Sequence, residues 1–340
     1  MTIPATLSDI PGHVKLVFYT PAEYPIPHLP TAHKKGSVVP TSTPTTPAPY
    51  AILFNFHGGG FTIGRPTDDC RWATHVLRTL RDPAQAGPGI IICSVEYRCA
   101  PECPFPTAVY DGADAILYVL QHAAEFNIDP TKVCTSGFSA GGNLSFTVLL
   151  KLWDELARRK GIEAPVVGDL PSTSETLAPH LSPLIRSTIA FYPSTDFTNA
   201  REVRRATNKK PSAELPRFFT RLFDSSYLFP PTNVSMDHPY LSPIVASNEA
   251  LSKALPQHVV MCICEWDELR DEGERFARRL KEVGKEVGVR LVEGVGHAWD
   301  KNPFGGNPVR DEVYDYACRE LGRALGLEYI GKEREGGMLL

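Results

Sequence analysis

The stretch Lys132-Val-Cys-Thr-Ser-Gly-Phe-Ser-Ala-Gly-Gly-Asn-Leu-Ser-Phe-Thr-Val-Leu-Leu150 changes its period partway along. KVCTSG reads as a short apolar strand, and from Ala140 onward the apolar residues recur at helical spacing. At the junction lies Gly137-Phe138-Ser139-Ala140-Gly141, a G-x-S-x-G. A nucleophile on so tight a strand-to-helix turn needs glycine two residues before and two after, where the chain crowds itself. Ser139 is thereby expected above the carboxyl edge of a sheet. The backbone N–H of Ala140, at a helix N-terminus, faces any negative charge that develops there.

Working outward, further runs alternate with helical stretches: VKLVFY (14–19), AILFNF (51–56), IIICSVEY (90–97), STIAFY (187–192), HVVMCICE (258–265) and VRLVEG (289–294). Several are continuously apolar, as expected of strands covered on both faces. Helices are expected over 106–126, 140–160, 271–287 and 310–325. The pattern predicts an α/β fold with a mostly parallel central sheet and helices on both sides. Three stretches break the rhythm. Residues 20–50 hold eight of the 31 prolines and read as a long extended excursion; 161–183 reads as a surface loop. Residues 199–240 hold the aromatic-rich piece PRFFTRLFDSSYLF. The predicted division is a core of 1–198 and 241–340 with 199–240 inserted. No internal repeat is present.

His57-Gly58-Gly59-Gly60-Phe61 directly follows AILFNF, and glycines there leave backbone N–H groups open to a substrate oxygen. With Ala140, Gly59 and Gly60 are expected to form an oxyanion hole. A serine nucleophile needs a base, and the base an orienting carboxylate. Among ten histidines, His297 follows a late strand end; His75, His122, His180, His238 and His258 read as surface or loop residues, and His57 as loop-shaping. Asp267 follows HVVMCICEW and leaves room for one helix and one strand before His297. Asp271 is expected to cap the next helix or to pair with Arg270, with Glu265 and Glu268 as weaker alternatives for the acid.

HGGGF, YRCAPECPFPTAVYD (97–111), GFSAGGN (137–143), YPSTDF (192–197), SPI (242–244), DELRDEG (267–273) and GVGHAW (294–299) occur in this order. In these motifs, over roughly residues 50–325, the chain resembles the hormone-sensitive-lipase-like branch of the α/β-hydrolases, a family of carboxylesterases. The resemblance implies Ser139 as nucleophile, Asp267 as acid, His297 as base, Gly59, Gly60 and Ala140 as oxyanion donors, and Glu102 and Asp111 as loop braces. It implies no cofactor. Two departures stand out: VKLVFY begins at residue 14, so an N-terminal cap is expected to be reduced, and Trp299-Asp300 follows the histidine where a small apolar pattern is commoner.

The expected reaction is hydrolysis of a small or medium, short-acyl or aromatic, ester through an acyl-enzyme. The rival is a biosynthetic hydrolase using the same triad for lactone opening, amide hydrolysis, acyl transfer or cyclisation; a non-hydrolytic receptor is the more distant one. Phe61, Phe138, Phe218, Phe219, Leu222, Phe223 and Trp299 are expected to line the substrate pocket. The alternative for the Phe218–Phe223 stripe is packing of the insertion against the core.

Composition narrows the partners. At 42% hydrophobic and 22% charged residues the chain is globular, and a net charge of −4 leaves no field for a phosphate backbone, so nucleic acid is not expected. No leader and no membrane-spanning run are visible, so a cytoplasmic protein is expected. The eight cysteines are expected to be reduced, and no metal site is expected because Cys99 and Cys103 have no histidine or further cysteine at ligand spacing. Asn143 and Asn233 match the glycosylation pattern, which has little meaning without a leader. A homodimer is left open.

Overall fold

The computed structural model describes residues 1–24, 48–83, 89–159, 184–302 and 306–331. Most of the proline-rich stretch, the 161–183 loop and His180 lie outside the described residues. An eight-stranded sheet is built from β1 (Thr2–Pro4), β2 (His13–Tyr19), β3 (Tyr50–Phe56), β5 (Ile90–Glu96), β6 (Ile128–Phe138), β7 (Ile185–Phe191), β8 (His258–Trp266) and β9 (Glu286–Gly296). Its spatial order is β1-β2-β5-β3-β6-β7-β8-β9. The β1–β2 and β2–β5 pairs are antiparallel, and every pair from β5 to β9 is parallel. The parallel part places the ends of β3, β6, β7, β8 and β9 along one carboxyl edge. A separate two-stranded ribbon pairs β4 (Leu80–Arg81) with β10 (Glu328–Tyr329).

The alternation of side chains along β3 explains the two layers of core. Ile52, Phe54 and Phe56 point to one side, where α2 (Thr107–Gln121), α3 (Ala140–Arg159), α6 (Asn248–Ala254) and α7 (Arg270–Glu282) pack. Ala51 and Leu53 point to the other, against α1 (Cys70–Thr79) and α8 (Pro308–Leu325). The sheet is thus covered on both faces, as its continuous apolar runs require. The sequence reading missed β1, α1 and α6. In α1 Trp72, Ala73, Val76 and Thr79 are buried at i, i+1, i+4 and i+7 on one face, so the helical period was present in the sequence and was passed over. His75, expected on the surface or in a loop, lies part-exposed on this helix and pairs with Asp315 at 2.7 Å.

Between β7 and β8 the chain leaves the alternation through α4 (Arg201–Ala206) and α5 (Arg217–Tyr227). The buried or half-buried face of α5 carries Thr220, Phe223, Asp224 and Tyr227, at i, i+3, i+4 and i+7. At about 100° per residue this turns Phe218 and Leu222 outward. The expected single stripe is therefore divided, and Phe218 is 72% exposed.

Candidate active site

Four loops at the carboxyl edge bring the predicted residues together. Ser139 follows β6 with φ +55°, a left-handed conformation that costs a non-glycine residue on the order of 1–3 kcal/mol. Its N–H donates to Phe191 O at 2.9 Å and its carbonyl accepts from Asn143 N at 3.0 Å, so β7 and α3 hold the turn. The flanking glycines are sterically obligatory. A Cβ on Gly137 would lie 2.1 Å from Gly141 O, and one on Gly141 would lie 1.9 Å from Phe56 O. The N–H of Ala140, the first residue of α3, has no partner within the helix.

His297, after β9, places Nε2 2.8 Å from Ser139 Oγ and Nδ1 2.7 Å from Asp267 Oδ2. Asp267 is 2% exposed, and its other oxygen accepts the Leu269 N–H at 3.0 Å. Since the carboxylate can only accept, Nδ1 carries the proton and Nε2 is left to accept from the serine hydroxyl. Burial by itself would depress the imidazole. The charge and hydrogen bond of Asp267, helped by Glu268 and Asp300, outweigh it and raise His297 above the ordinary histidine value.

The glycine loop is shaped by His57, as expected. The buried ring stacks on Tyr97 at 4.2 Å, its Nδ1 lies 2.8 Å from Gly58 O, and Tyr97 Oη donates to His57 O at 2.8 Å. Burial lowers the His57 pKa, so the ring is neutral. Gly59 and Gly60 have φ +116° and +60°, and a Cβ on Gly60 would meet Phe223 Cγ at 2.2 Å. That close approach lets Phe223 cover the loop.

The other candidates for the acid are engaged elsewhere. Glu265 accepts from Gly294 N, and Glu268 pairs with Arg201 and Arg205. Asp271 neither caps α7 nor pairs with Arg270: it lies within the first turn and accepts from Arg275, while Arg270 pairs with Glu274. Asp111 is fully buried and braces Arg98 at 2.7 Å, whereas Glu102 is exposed. Asn143 is fully buried, donating to Ser194 O and Leu241 O at 2.8 Å, which removes it as a glycosylation acceptor.

Two cavities flank the Ser139–His297 pair. One, about 50 Å³, is lined by Phe61, Ser194, Phe197, Phe223 and Tyr227, with Arg201, Asp224 and Glu268 at its polar end. The other, about 500 Å³, is lined by Ile63, Phe138, Tyr192, Phe219, Phe223 and Lys301. Phe61 is stacked on Tyr227 at 3.9 Å. Phe218, Leu222 and Trp299 line neither. The first two face outward on α5, and Trp299 packs against the core between the sheet, α1 and α8.

Sequence reasoning missed a buried polar network beneath these loops. Asn55 Nδ2 donates to Asp69 at 2.8 Å, and Ser136 Oγ donates to Asn55 Oδ1 at 2.8 Å. Lys301 bridges Asp69 at 2.6 Å and Asp300 at 3.1 Å, while Tyr314 Oη donates to Asp300 at 2.7 Å and Tyr192 Oη donates to the same carboxylate. Burial pushes the Asp300 carboxyl up, but Lys301 and the two hydroxyls bring it below the usual range. Tyr192 also sets its ring edge-on to His297, 4.8 Å between centroids. The strands that deliver the glycine loop and Ser139 are thereby tied to the loop that carries His297. The unusual Trp299-Asp300 after the histidine was the one visible signal.

Comparison with known proteins agrees with this architecture. The sequence profile of a family described as alpha/beta hydrolase fold matches residues 53–301. The carboxylic ester hydrolase LipN of Mycobacterium tuberculosis is 33% identical over 253 residues, 73% of this chain and 57% of its own length. An arylesterase of Saccharolobus solfataricus is 31% identical over 253 residues, 74% of this chain and 69% of its own. This chain thus spans less than two thirds of LipN. Among solved structures, an esterase of Pyrobaculum calidifontis superposes with a TM-score of 0.69 at 23% identity, over 96% of this chain and 84% of that one.

Proposed function

The chain belongs to this α/β-hydrolase family of hormone-sensitive-lipase-like carboxylesterases, and we propose that it is a serine carboxylester hydrolase working through Ser139, His297 and Asp267. The observation that carries the reading is the hydrogen-bonded line from Ser139 Oγ through His297 to Asp267 at the junction of the two cavities. Ser139 attacks an ester carbonyl while His297 Nε2 takes its proton. Asp267 keeps the imidazole in the accepting tautomer and stabilises the imidazolium that forms. The N–H groups of Gly59, Gly60 and Ala140 receive the oxyanion; each such donor contributes on the order of 10²–10³ in rate. His297 then protonates the leaving alcohol, and water releases the acyl group by the same steps in reverse roles.

Size and lining argue for the placement of substrate. The smaller cavity has room for a short acyl group. The larger, with Ile63, Phe219 and Phe223, suits an aliphatic or aromatic alcohol. In this reading residues 199–240 act as a cap whose α5 closes both cavities. All eight cysteines are free, which favours a reducing compartment such as the cytoplasm. Among the described residues no helix is long and apolar enough to cross a membrane.

The test is Ser139→Ala on a short-chain p-nitrophenyl ester, with labelling by a serine-directed phosphonate. Hydrolysis should fall at least ~10³-fold and labelling should vanish, with the fold retained. Activity close to that of the unchanged chain would remove Ser139 from the mechanism.

A further inference from the structure

The helix that lines the site with one face presents an unusual surface with the other. Phe218, Phe219 and Leu222 on α5 are 72%, 43% and 40% exposed, and Ile63 on the glycine loop is 50% exposed. Phe219 and Ile63 line the mouth of the larger cavity, so this apolar group is continuous with the entrance to the site. Beside it on the outward arc of α5 stand Arg217 and Arg221, one turn apart, both exposed and without an ion-pair partner among the described residues.

Charge sharpens the picture. Residues 199–240 hold seven lysines and arginines against four acidic residues, in a chain of net charge −4. Two of the four acids, Glu214 and Asp224, face inward and are neutralised by Arg205 and Arg201. The outer surface of the insertion is left basic around an apolar centre. Aromatic and leucine side chains flanked by arginines along one helix face are the composition of an interfacial helix on an anionic bilayer.

A second copy of the chain fits less well. The exposed parts of the four apolar side chains amount to roughly 400 Å². A stable dimer needs about 800 Å² per partner. A two-fold pairing through α5 would also bring Arg217 and Arg221 toward their own like charges.

We propose that the outward face of α5 seats the mouth of the site on an anionic lipid surface, so that the substrate enters from the lipid. The delivery of substrate rests on the hydrolase reading above; the docking does not. Seated this way, Phe218 and Leu222 enter the acyl boundary, Arg217 and Arg221 meet headgroup phosphates, and Phe219 and Ile63 carry the apolar surface on into the cavity.

Flotation of the full chain carrying Ser139→Ala tests docking without turnover. It is run with phosphatidylcholine vesicles and with the same vesicles containing phosphatidylglycerol. The chain should float with the anionic vesicles, less with the neutral ones, and salt should weaken the difference. Arg217→Glu/Arg221→Glu should lower partitioning onto the anionic vesicles by roughly 25-fold or more, since each basic residue near such a surface contributes about fivefold. Phe218→Ser/Leu222→Ser should lower it at least tenfold on both vesicle types. A chain that stays unbound on anionic vesicles overturns the proposal, as does flotation unchanged in either double variant. So does a dimer in solution that Phe218→Ser/Leu222→Ser dissolves while lipid binding is absent. Far-UV circular dichroism checks each variant, and should the apolar pair misfold, the arginine pair decides. Loss of flotation with Ser139-dependent hydrolysis intact would sink the docking alone; the reverse would sink the hydrolase reading alone.

Discussion

Asp267→Asn changes little in shape and should reverse the polarity of the proposed catalytic line from Ser139 through His297. Asp267 now accepts twice, from Leu269 N–H at 3.0 Å and from His297 Nδ1 at 2.7 Å. An asparagine has one oxygen for these two donors. The Leu269 N–H is buried, and leaving it unpaired would cost on the order of 1–3 kcal/mol, so the amide oxygen turns toward it. The NH₂ group then faces Nδ1, which must give up its proton and accept. Nε2 becomes the protonated nitrogen and can no longer take the hydrogen of Ser139. In serine proteases the corresponding wrong tautomer lowers kcat by about 10⁴, or about 5.5 kcal/mol of barrier, and a loss of that order is expected here. The substitution also removes the charge that holds the His297 pKa up, so the acid limb of the residual activity should move to lower pH. The assay is kcat/KM for a p-nitrophenyl ester from acid to neutral pH, with a melting curve to confirm the fold. Activity within tenfold of the original at neutral pH, or an acid limb that does not move, would exclude Asp267 as the group that orients His297.

In the proposed mechanism the raised His297 pKa fixes the direction of the pH profile of the unchanged chain. The inactive imidazolium persists to higher pH than in a free histidine, so activity should fall on acidification with a midpoint above ~6.5; a flat rate from about pH 5 to 8 would contradict it. Asp300→Asn should shift that midpoint downward and destabilise the fold by about 1–3 kcal/mol, because an amide has one oxygen for the Tyr192 and Tyr314 hydroxyls while Lys301 keeps Asp69; denaturant titration and the pH profile read the two effects separately. Gly141→Ala drives a Cβ to 1.9 Å from Phe56 O, and the loss should be about 3 kcal/mol or more, against roughly 1–2 kcal/mol for Gly284→Ala, where nothing lies within 4 Å. Phe219→Ala should lower kcat/KM roughly tenfold for esters of bulky alcohols, while Phe218→Ala on the outer face should leave monomeric esters within about twofold; equal effects would mean that the two share one environment.

Much of the site was legible because its parts are local. A strand that ends in G-x-S-x-G and opens a helix dictates its own turn, since Gly137 and Gly141 answer clashes within a few residues or with the adjacent strand. His297 and Asp267 were found by the same logic: each follows an apolar run, and parallel strands deliver their ends to one edge. The rejected acids, Glu265, Glu268 and Asp271, proved to be occupied, although the specific partner of Asp271 was read wrongly. Helix α1 was missed although Trp72, Ala73, Val76 and Thr79 stand at helical spacing, because polar side chains separate them and leave no apolar run.

Hydrophobic period and steric need at a turn are properties of contiguous residues, and they set the α/β alternation, the strand-turn-helix at Ser139, the glycine loop and the placing of Asp267 and His297 after later strands. Packing between distant segments sets which face of α5 looks inward, so that Phe219 and Phe223 line the cavity while Phe218 and Leu222 meet solvent. The same packing joins Asn55, Asp69, Tyr192, Asp300, Lys301 and Tyr314 beneath the site. Those choices rest on contacts between segments up to more than two hundred residues apart. Their energy lies in burial and charge pairing across the packed layers, and no local pattern records it.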